Sequence, residues 1–234
     1  MYRRYAAEKI KLRQFTMKKI IALSALSLAF ASSAFAGSSY VTGNVQFHSD
    51  FQPNATSTLE AGHTFDSGTT LLTEFDGISL GKYDNDAIQD SGLGNSPYIT
   101  LGVEQMYNIN DNLWVAAGYH HLLNNGETVQ YRPLVKIGYN FDNGISISNR
   151  TRYHAMEDSK ADDQTRFDNR IGYAVNAELA LSYNNVYVIS DADNTMDHEL
   201  RATWTRQGVQ PYFEYRNQAD NANNAFVFGA SYGF

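Results

Sequence analysis

From Gly37 to Phe234 apolar and polar residues alternate with a period of two, the spacing that puts successive side chains on opposite faces of a β-strand. The pattern is clearest over Tyr131–Tyr173. In Tyr131–Tyr139 one face carries Tyr131, Val135, Ile137 and Tyr139, and the other carries Arg132, Lys136 and Gly138. Asp142-Asn143-Gly144 then turns the chain, and Asn-Gly between alternating runs is a hairpin signal because a type I′ turn needs positive φ. The next run, Ile145–His154, sets Ile145, Ile147, Thr151 and Tyr153 against Ser146, Ser148, Arg150, Arg152 and His154. Arg166–Val175 repeats the arrangement, with Phe167, Ile171, Tyr173 and Val175 opposite Arg166, Asp168 and Arg170. Adjacent strands are thus apolar on one side and line up arginines on the other. A soluble sheet with one solvated face would alternate too, so the choice falls to the rest of the chain.

Further runs predict strands near Tyr40–His48, Thr58–Phe65, Thr70–Ile78, Tyr98–Tyr107, Leu113–His121, Glu178–Val188, His198–Arg206 and Val209–Arg216, with one more closing the chain. The total of about twelve is even, as a single-chain outer-membrane barrel requires. The connections after the even-numbered strands read as tight and those after the odd-numbered ones as longer, Leu80–Pro97 and Ala155–Gln164 above all. Such parity is expected of a chain with short periplasmic turns and longer external loops. The longer loops also carry acids, among them Asp84, Asp86 and Asp90, then Glu157, Asp158, Asp162 and Asp163, then Asp191, Asp193 and Asp197. The last strand places Phe226, Phe228, Ala230, Tyr232 and Phe234 at every second position up to the C-terminal Phe. Unpaired backbone cannot face lipid, so this strand is expected to pair with the first and close a cylinder.

Residues 1–36 read as a removable leader. Lys18-Lys19 precede the apolar run Ile20–Phe30, and Ala34-Phe35-Ala36 offers a small-x-small cleavage site before Gly37. Met17 is the expected natural start, with Met1–Thr16 an upstream extension. Cleavage near Ala36 takes away seven of the 18 Lys and Arg and one of the 25 Asp and Glu, leaving 11 basic and 24 acidic residues and a net charge of −13. Such a chain repels nucleic acid, and no nucleic-acid partner is expected. Eight of those eleven cations nevertheless fall on strands between Arg132 and Arg216 with one facing. With no cysteine, neither a disulfide framework nor a thiol nucleophile is available. No later segment is an apolar run long enough for a transmembrane helix, a test to which a barrel is blind. The expected fold is therefore all-β, an antiparallel up-and-down transmembrane barrel of about twelve strands over residues 37–234. Sixteen Tyr and thirteen Phe suit its two interfaces, with Tyr107, Tyr139, Phe141, Tyr212, Phe226 and Phe234 as girdle candidates.

In such a barrel the inward positions include Arg132, Lys136, Arg150, Arg152, Arg166, Arg170, Arg201 and Arg216, a basic track on neighbouring strands. Glu60, Glu74 and Glu104 would put acids on the opposite arc. A row of guanidinium forks binds an anionic solute weakly and repeatedly, as conduction requires. The alternative is a closed barrel in which the cations pair with Asp168, Glu178, Glu199 and Glu214 to fill the interior. An outer-membrane lipase or protease would need a linked nucleophile and base, and no spacing motif joins His120-His121, His154 or His198 to a serine. Asp84-Asn85-Asp86 and Asp191-Ala192-Asp193 lack the Gly and distal Glu of a calcium loop, so no metal or cofactor is expected. A structural or adhesive barrel without conductance is a third reading.

Four segments carry a family likeness: Tyr131-Arg132-Pro133-Leu134-Val135-Lys136; Asn149-Arg150-Thr151-Arg152-Tyr153; Arg166-Phe167-Asp168; and Gln210-Pro211-Tyr212-Phe213-Glu214-Tyr215. In these the chain resembles the oligogalacturonate-specific (KdgM-like) porins of Gram-negative bacteria, a family that includes a sialic-acid channel. The likeness covers the second half well and the first half only through strand pattern. It implies a monomeric twelve-stranded channel in outer-membrane lipid for acidic oligosaccharides, with arginine tracks facing the pore. Arg132, Lys136, Arg150, Arg152, Arg166 and Arg170 are the positions carried over from it, whereas Arg201 and Arg216 rest on strand phase.

Overall fold

A computed structural model describes residues 37–50, 54–80 and 96–234, which form twelve antiparallel strands closed into one barrel. In chain order they are β1 (Gly37–His48), β2 (Ala55–Phe65), β3 (Thr69–Ser79), β4 (Tyr98–Asn108), β5 (Leu113–Asn124) and β6 (Glu127–Asn140). There follow β7 (Ile145–Met156), β8 (Gln164–Ala174), β9 (Leu179–Ser190), β10 (Thr195–Trp204), β11 (Gln210–Gln218) and β12 (Asn223–Gly233). Each strand pairs with the next, and β12 returns to β1 with Phe228 opposite Val45 and Phe226 opposite Phe47. Ser39 and the C-terminal Phe234 exchange both backbone bonds, at 2.9 and 3.0 Å. No edge is left unpaired, which is the condition for a sheet to stand in lipid. Among the described residues no helix is long and apolar enough to cross a membrane.

The strands run longer than the alternation alone suggests, because pairing to a neighbour carries the ladder past the last apolar residue; β5 reaches Asn124 and β9 reaches Ser190. The expected parity of connections holds only in part. Asp66-Ser67-Gly68 and Asp142-Asn143-Gly144 are tight, and Glu157–Asp163 is long. Asn125-Gly126, however, joins β5 to β6 in two residues with φ of 51° and 83°, the hairpin geometry that Asn-Gly favours. Four-residue links after β9 and β11 are no longer than those on the other rim. The leader, most of the Leu80–Pro97 loop, and Asp84, Asp86 and Asp90 lie outside the described residues. Asp197 sits on β10 rather than in a loop, accepting a bond from the Ala219 amide at 2.7 Å.

The outer face is apolar, with Leu101, Val135, Ile171, Leu200 and Phe228 all exposed on it. Five of the six girdle candidates share that exposure: Tyr107, Tyr139, Phe141, Phe226 and Phe234. Tyr212 does not. It is 6% exposed and turned inward, in phase with Glu214 and Arg216, so the girdle assignment is corrected to the inner face. The period-two count from Arg216 already placed it there; its aromatic character argued wrongly for the lipid side.

Candidate functional site: the inner face of the barrel

Alternation places the eight candidate cations on the inward phase of five strands: Arg132 and Lys136 on β6, Arg150 and Arg152 on β7, Arg166 and Arg170 on β8, Arg201 on β10 and Arg216 on β11. Carboxylates on the same phase organise five of them. Asp168 accepts from Arg150 Nε at 2.8 Å and from Arg166 Nη2 at 2.8 Å. Glu214 accepts from Arg201 Nε and Arg216 Nε, each at 2.5 Å. Glu104 accepts from Lys136 Nζ at 2.5 Å and lies 2.9 Å from His120 Nε2.

These three groups share a form. The carboxylate side chains are only 9%, 1% and 5% exposed, whereas the five cations flanking them are between 18% and 28% exposed. In each group the acid is the more buried member and its cations are the more exposed. Asp168 under two arginines leaves one positive charge in excess, whereas Glu104 meets a single Lys136, and Arg216 of the Glu214 group also stands 3.9 Å from Glu199.

The Glu104 group depends on a glycine. Register sets Glu104 opposite Gly118, and Gly118 opposite Leu134, so the carboxylate must cross β5 to reach Lys136 on β6. A Cβ at position 118 would meet Glu104 Cγ at 2.8 Å, so only glycine leaves that path open. Gly229 plays the same part for Tyr212, whose ring a Cβ there would overlap, while Arg201 Cζ stands 4.2 Å from the ring centroid.

Arg132, Arg152 and Arg170 have no carboxylate within 4 Å among the described residues. Arg132 Nε donates to Gln130 Oε1, and Arg152 Nε donates to His154 Nε2 at 2.7 Å, which requires that nitrogen to be an unprotonated acceptor. The other arc is built differently. Glu60 and Glu74 face each other across β2 and β3, with hydroxyls for partners: Tyr40 Oη on Glu60 at 2.7 Å and Thr100 Oγ1 on Glu74 at 3.4 Å. Glu74 lies in the field of Arg150 and Arg152 from the far side. Of the acids expected opposite the cations, Glu104 thus belongs to the basic wall, and Glu60 and Glu74 stand apart from it. Glu178, proposed as an inward partner, lies in the exposed turn before β9.

The sequence reading missed the aromatic and apolar inward residues. Tyr40, Trp114, Leu122 and Leu134 are all buried on the inner face. Their phase was legible, since Leu134 sits between Arg132 and Lys136, but an apolar residue in a polar row reads as noise until a packing partner appears.

The family model described as oligogalacturonate-specific porin protein (KdgM) matches residues 30–229. Among solved structures, the KdgM porin superposes with a TM-score of 0.65 at 15% identity, over 83% of this chain and 99% of that one. A structure of the KdgM porin in complex with disordered oligogalacturonate gives the same values. The NanC porin follows with a TM-score of 0.65 and 15% identity over 82% of this chain and 98% of that one. An outer-membrane channel from Pseudomonas putida F1 has a TM-score of 0.54 at 14% identity, over 87% and 97%. A search of curated proteins finds no match in sequence.

Proposed function

Because this outer-membrane β-barrel belongs to the oligogalacturonate-specific porin family, we propose that it is a passive channel for acidic sugars or oligosaccharides, with Arg132, Lys136, Arg150, Arg152, Arg166, Arg170, Arg201 and Arg216 lining its pore. The observation that carries this reading is the layering of the three ion-pair groups, acid more buried and cations more exposed. A solute entering such a barrel meets guanidinium and ammonium groups before it meets carboxylate. Forks at successive depths let one carboxylate be handed to the next without tight capture, the balance that conduction needs. No covalent chemistry is required of the wall, and membership of a porin family speaks for a channel rather than an enzyme.

A structure of the related KdgM porin is a complex with disordered oligogalacturonate, and that ligand class supplies the repeated planar carboxylates that arginine forks suit. The site of cleavage, near Ala36, and one chain per pore complete the proposal.

Planar-bilayer recording of the purified barrel tests it. Discrete openings, anion preference in a salt gradient, and block by oligogalacturonate added to one side are expected. Absence of any conductance would favour a barrel plugged by its own ion pairs. A clear cation preference would point instead to a lumen governed by Glu60 and Glu74.

A further inference from the structure

Four inward arginines donate through Nε to a residue two positions away on the same strand and face. Arg166 donates to Asp168 Oδ1 at 3.0 Å and Arg216 to Glu214 Oε1 at 2.5 Å. Arg132 donates to Gln130 Oε1 at 2.5 Å and Arg152 to His154 Nε2 at 2.7 Å. The spacing is the same each time, since residues two apart on a strand share a face. The acceptor differs: a carboxylate in the first two cases, a neutral group in the last two. Its chemistry decides whether an arginine is anchored and compensated, or anchored only.

The two neutral anchors are neighbours. Gln130 lies on β6 and His154 on β7, each between its arginine and the rim that carries the β7–β8 loop. Leu134, two residues from Arg132, is the register partner of Arg152, so the two arginines stand diagonally across one strand pair. Gln130 is itself fixed. Its Nε2 donates to Sδ of Met156, its register partner, at 3.1 Å, which leaves Oε1 for Arg132. Gln130, Arg152 and His154 are all buried. Nε supplies one of the five N–H donors of a guanidinium, and the Nη groups of Arg132 and Arg152 have no partner among the described residues. An acid at 130 or 154 would make the same bond, as Asp168 and Glu214 do, and would offset the charge.

We propose that Gln130 and His154 are specificity-determining positioning residues, neutral acceptors that fix the Arg132 and Arg152 forks while leaving both charges whole for the carboxylates of an acidic sugar. The inference rests on the channel reading above and adds to it which arginines discriminate, and through which partners. A fork already held through Nε loses less freedom when it closes on a carboxylate. Its Nη edge keeps the parallel donors that a planar carboxylate matches. A small spherical anion gains from the charge but not from the geometry. Ion selectivity and oligosaccharide affinity therefore separate at these two anchors.

Substitutions at the anchors tell position from charge. Gln130→Leu with His154→Leu keeps every cation, so anion preference in a salt gradient should stay as in the original chain. Block by oligogalacturonate should weaken about threefold to tenfold, the cost of ordering two freed side chains. His154→Gln alone offers a neutral Oε1 in place of the imidazole nitrogen and should keep the block. Gln130→Glu with His154→Glu keeps the anchors but compensates the forks, so anion preference and block should both fall. Nitrogen NMR of the barrel in detergent micelles gives a readout independent of conduction. It should show a His154 imidazole protonated at Nδ1 and an Arg152 Nε–H signal that moves on His154→Leu. Undiminished block in the leucine pair, lost block in His154→Gln, unchanged selectivity in the glutamate pair, or an Nε–H signal insensitive to His154→Leu would each overturn this proposal alone. An original chain with the expected NMR signals but neither anion preference nor block would overturn the channel reading, and this one with it.

Discussion

The two halves of the inner wall hold acidic groups in opposite ways. On the wall from β4 to β11, Glu104, Asp168 and Glu214 each pair with cations and are nearly withdrawn from solvent. On the arc formed by β2 and β3, Glu60 and Glu74 face each other with only hydroxyl partners and no cation within 4 Å among the described residues. Counting charges would treat these acids alike. Their neighbours make them unlike: Asp168 is compensated by two arginines, whereas Glu60 and Glu74 stand together with only hydroxyl partners. Selectivity follows the groups a solute can reach, so the difference predicts an anion path along one wall, bounded by a repelling arc on the other.

The largest effect should come from emptying the wall of its unpaired cations. Replacing Arg132, Arg152 and Arg170 with Ala leaves only cations already committed to carboxylates, and the arc then dominates. The reversal potential in a salt gradient should swing from anion toward cation preference, with block by acidic oligosaccharide lost. An unchanged potential would mean that the paired groups alone set selectivity.

A second substitution separates charge from shape. Arg150→Lys with Arg152→Lys keeps both charges but removes the planar fork from Asp168 and His154. Anion preference should survive. Block by oligogalacturonate should weaken by about tenfold to a hundredfold, the equivalent of roughly 1.5–3 kcal/mol for a charged hydrogen bond. Full retention of block would reduce the wall to an electrostatic lining.

The arc responds in the other direction and less strongly. Glu60→Gln with Glu74→Gln removes the repelling charges while retaining acceptors for Tyr40 and Thr100. The anion-to-cation permeability ratio should rise by about twofold to fivefold, since charges facing a water-filled lumen interact at roughly 1 kcal/mol or less. A fall in the ratio would show that these acids position cations rather than oppose anions.

The smallest effect lies outside the membrane, at the β7–β8 loop. Asp163 accepts from Tyr153 Oη at 2.5 Å and from the Met156 amide at 2.8 Å, and these bonds hold its carboxyl below the ordinary carboxylate range. A depressed carboxyl contributes stability above its unfolded value of about 4, and that contribution is lost as pH falls through the lower folded value. Protection of the Met156 amide from hydrogen exchange should therefore persist at about pH 4 and disappear only at lower pH. Asp163→Asn should remove the pH dependence.

Much of this was open to a reader of the chain alone. The period of two determined the strands and faces, because a pleated strand leaves no other placement for alternating side chains. The inward phase of the eight cations and closure through the aromatic C-terminal strand followed from the same rule. The hairpin at Asn143-Gly144 stands where its residues place it, but only Gly144 has positive φ, so its turn is not the type I′ expected. The places where sequence reasoning failed are those where a local residue preference competed with phase. Tyr212 was assigned to the girdle for being aromatic, and the β5–β6 link was assigned to the long-loop rim despite its Asn125-Gly126 turn.

What no single strand could reveal is the pairing between strands. Asp168 serves both Arg150 and Arg166 because β7 and β8 set it opposite the first and two residues from the second. Glu104 reaches Lys136 only because Gly118 leaves the intervening strand bare. The sequence determined which face each side chain takes, since that depends on backbone geometry within one strand. Tertiary structure decided which acids are hidden, since that depends on the registers of several strands closing one cylinder.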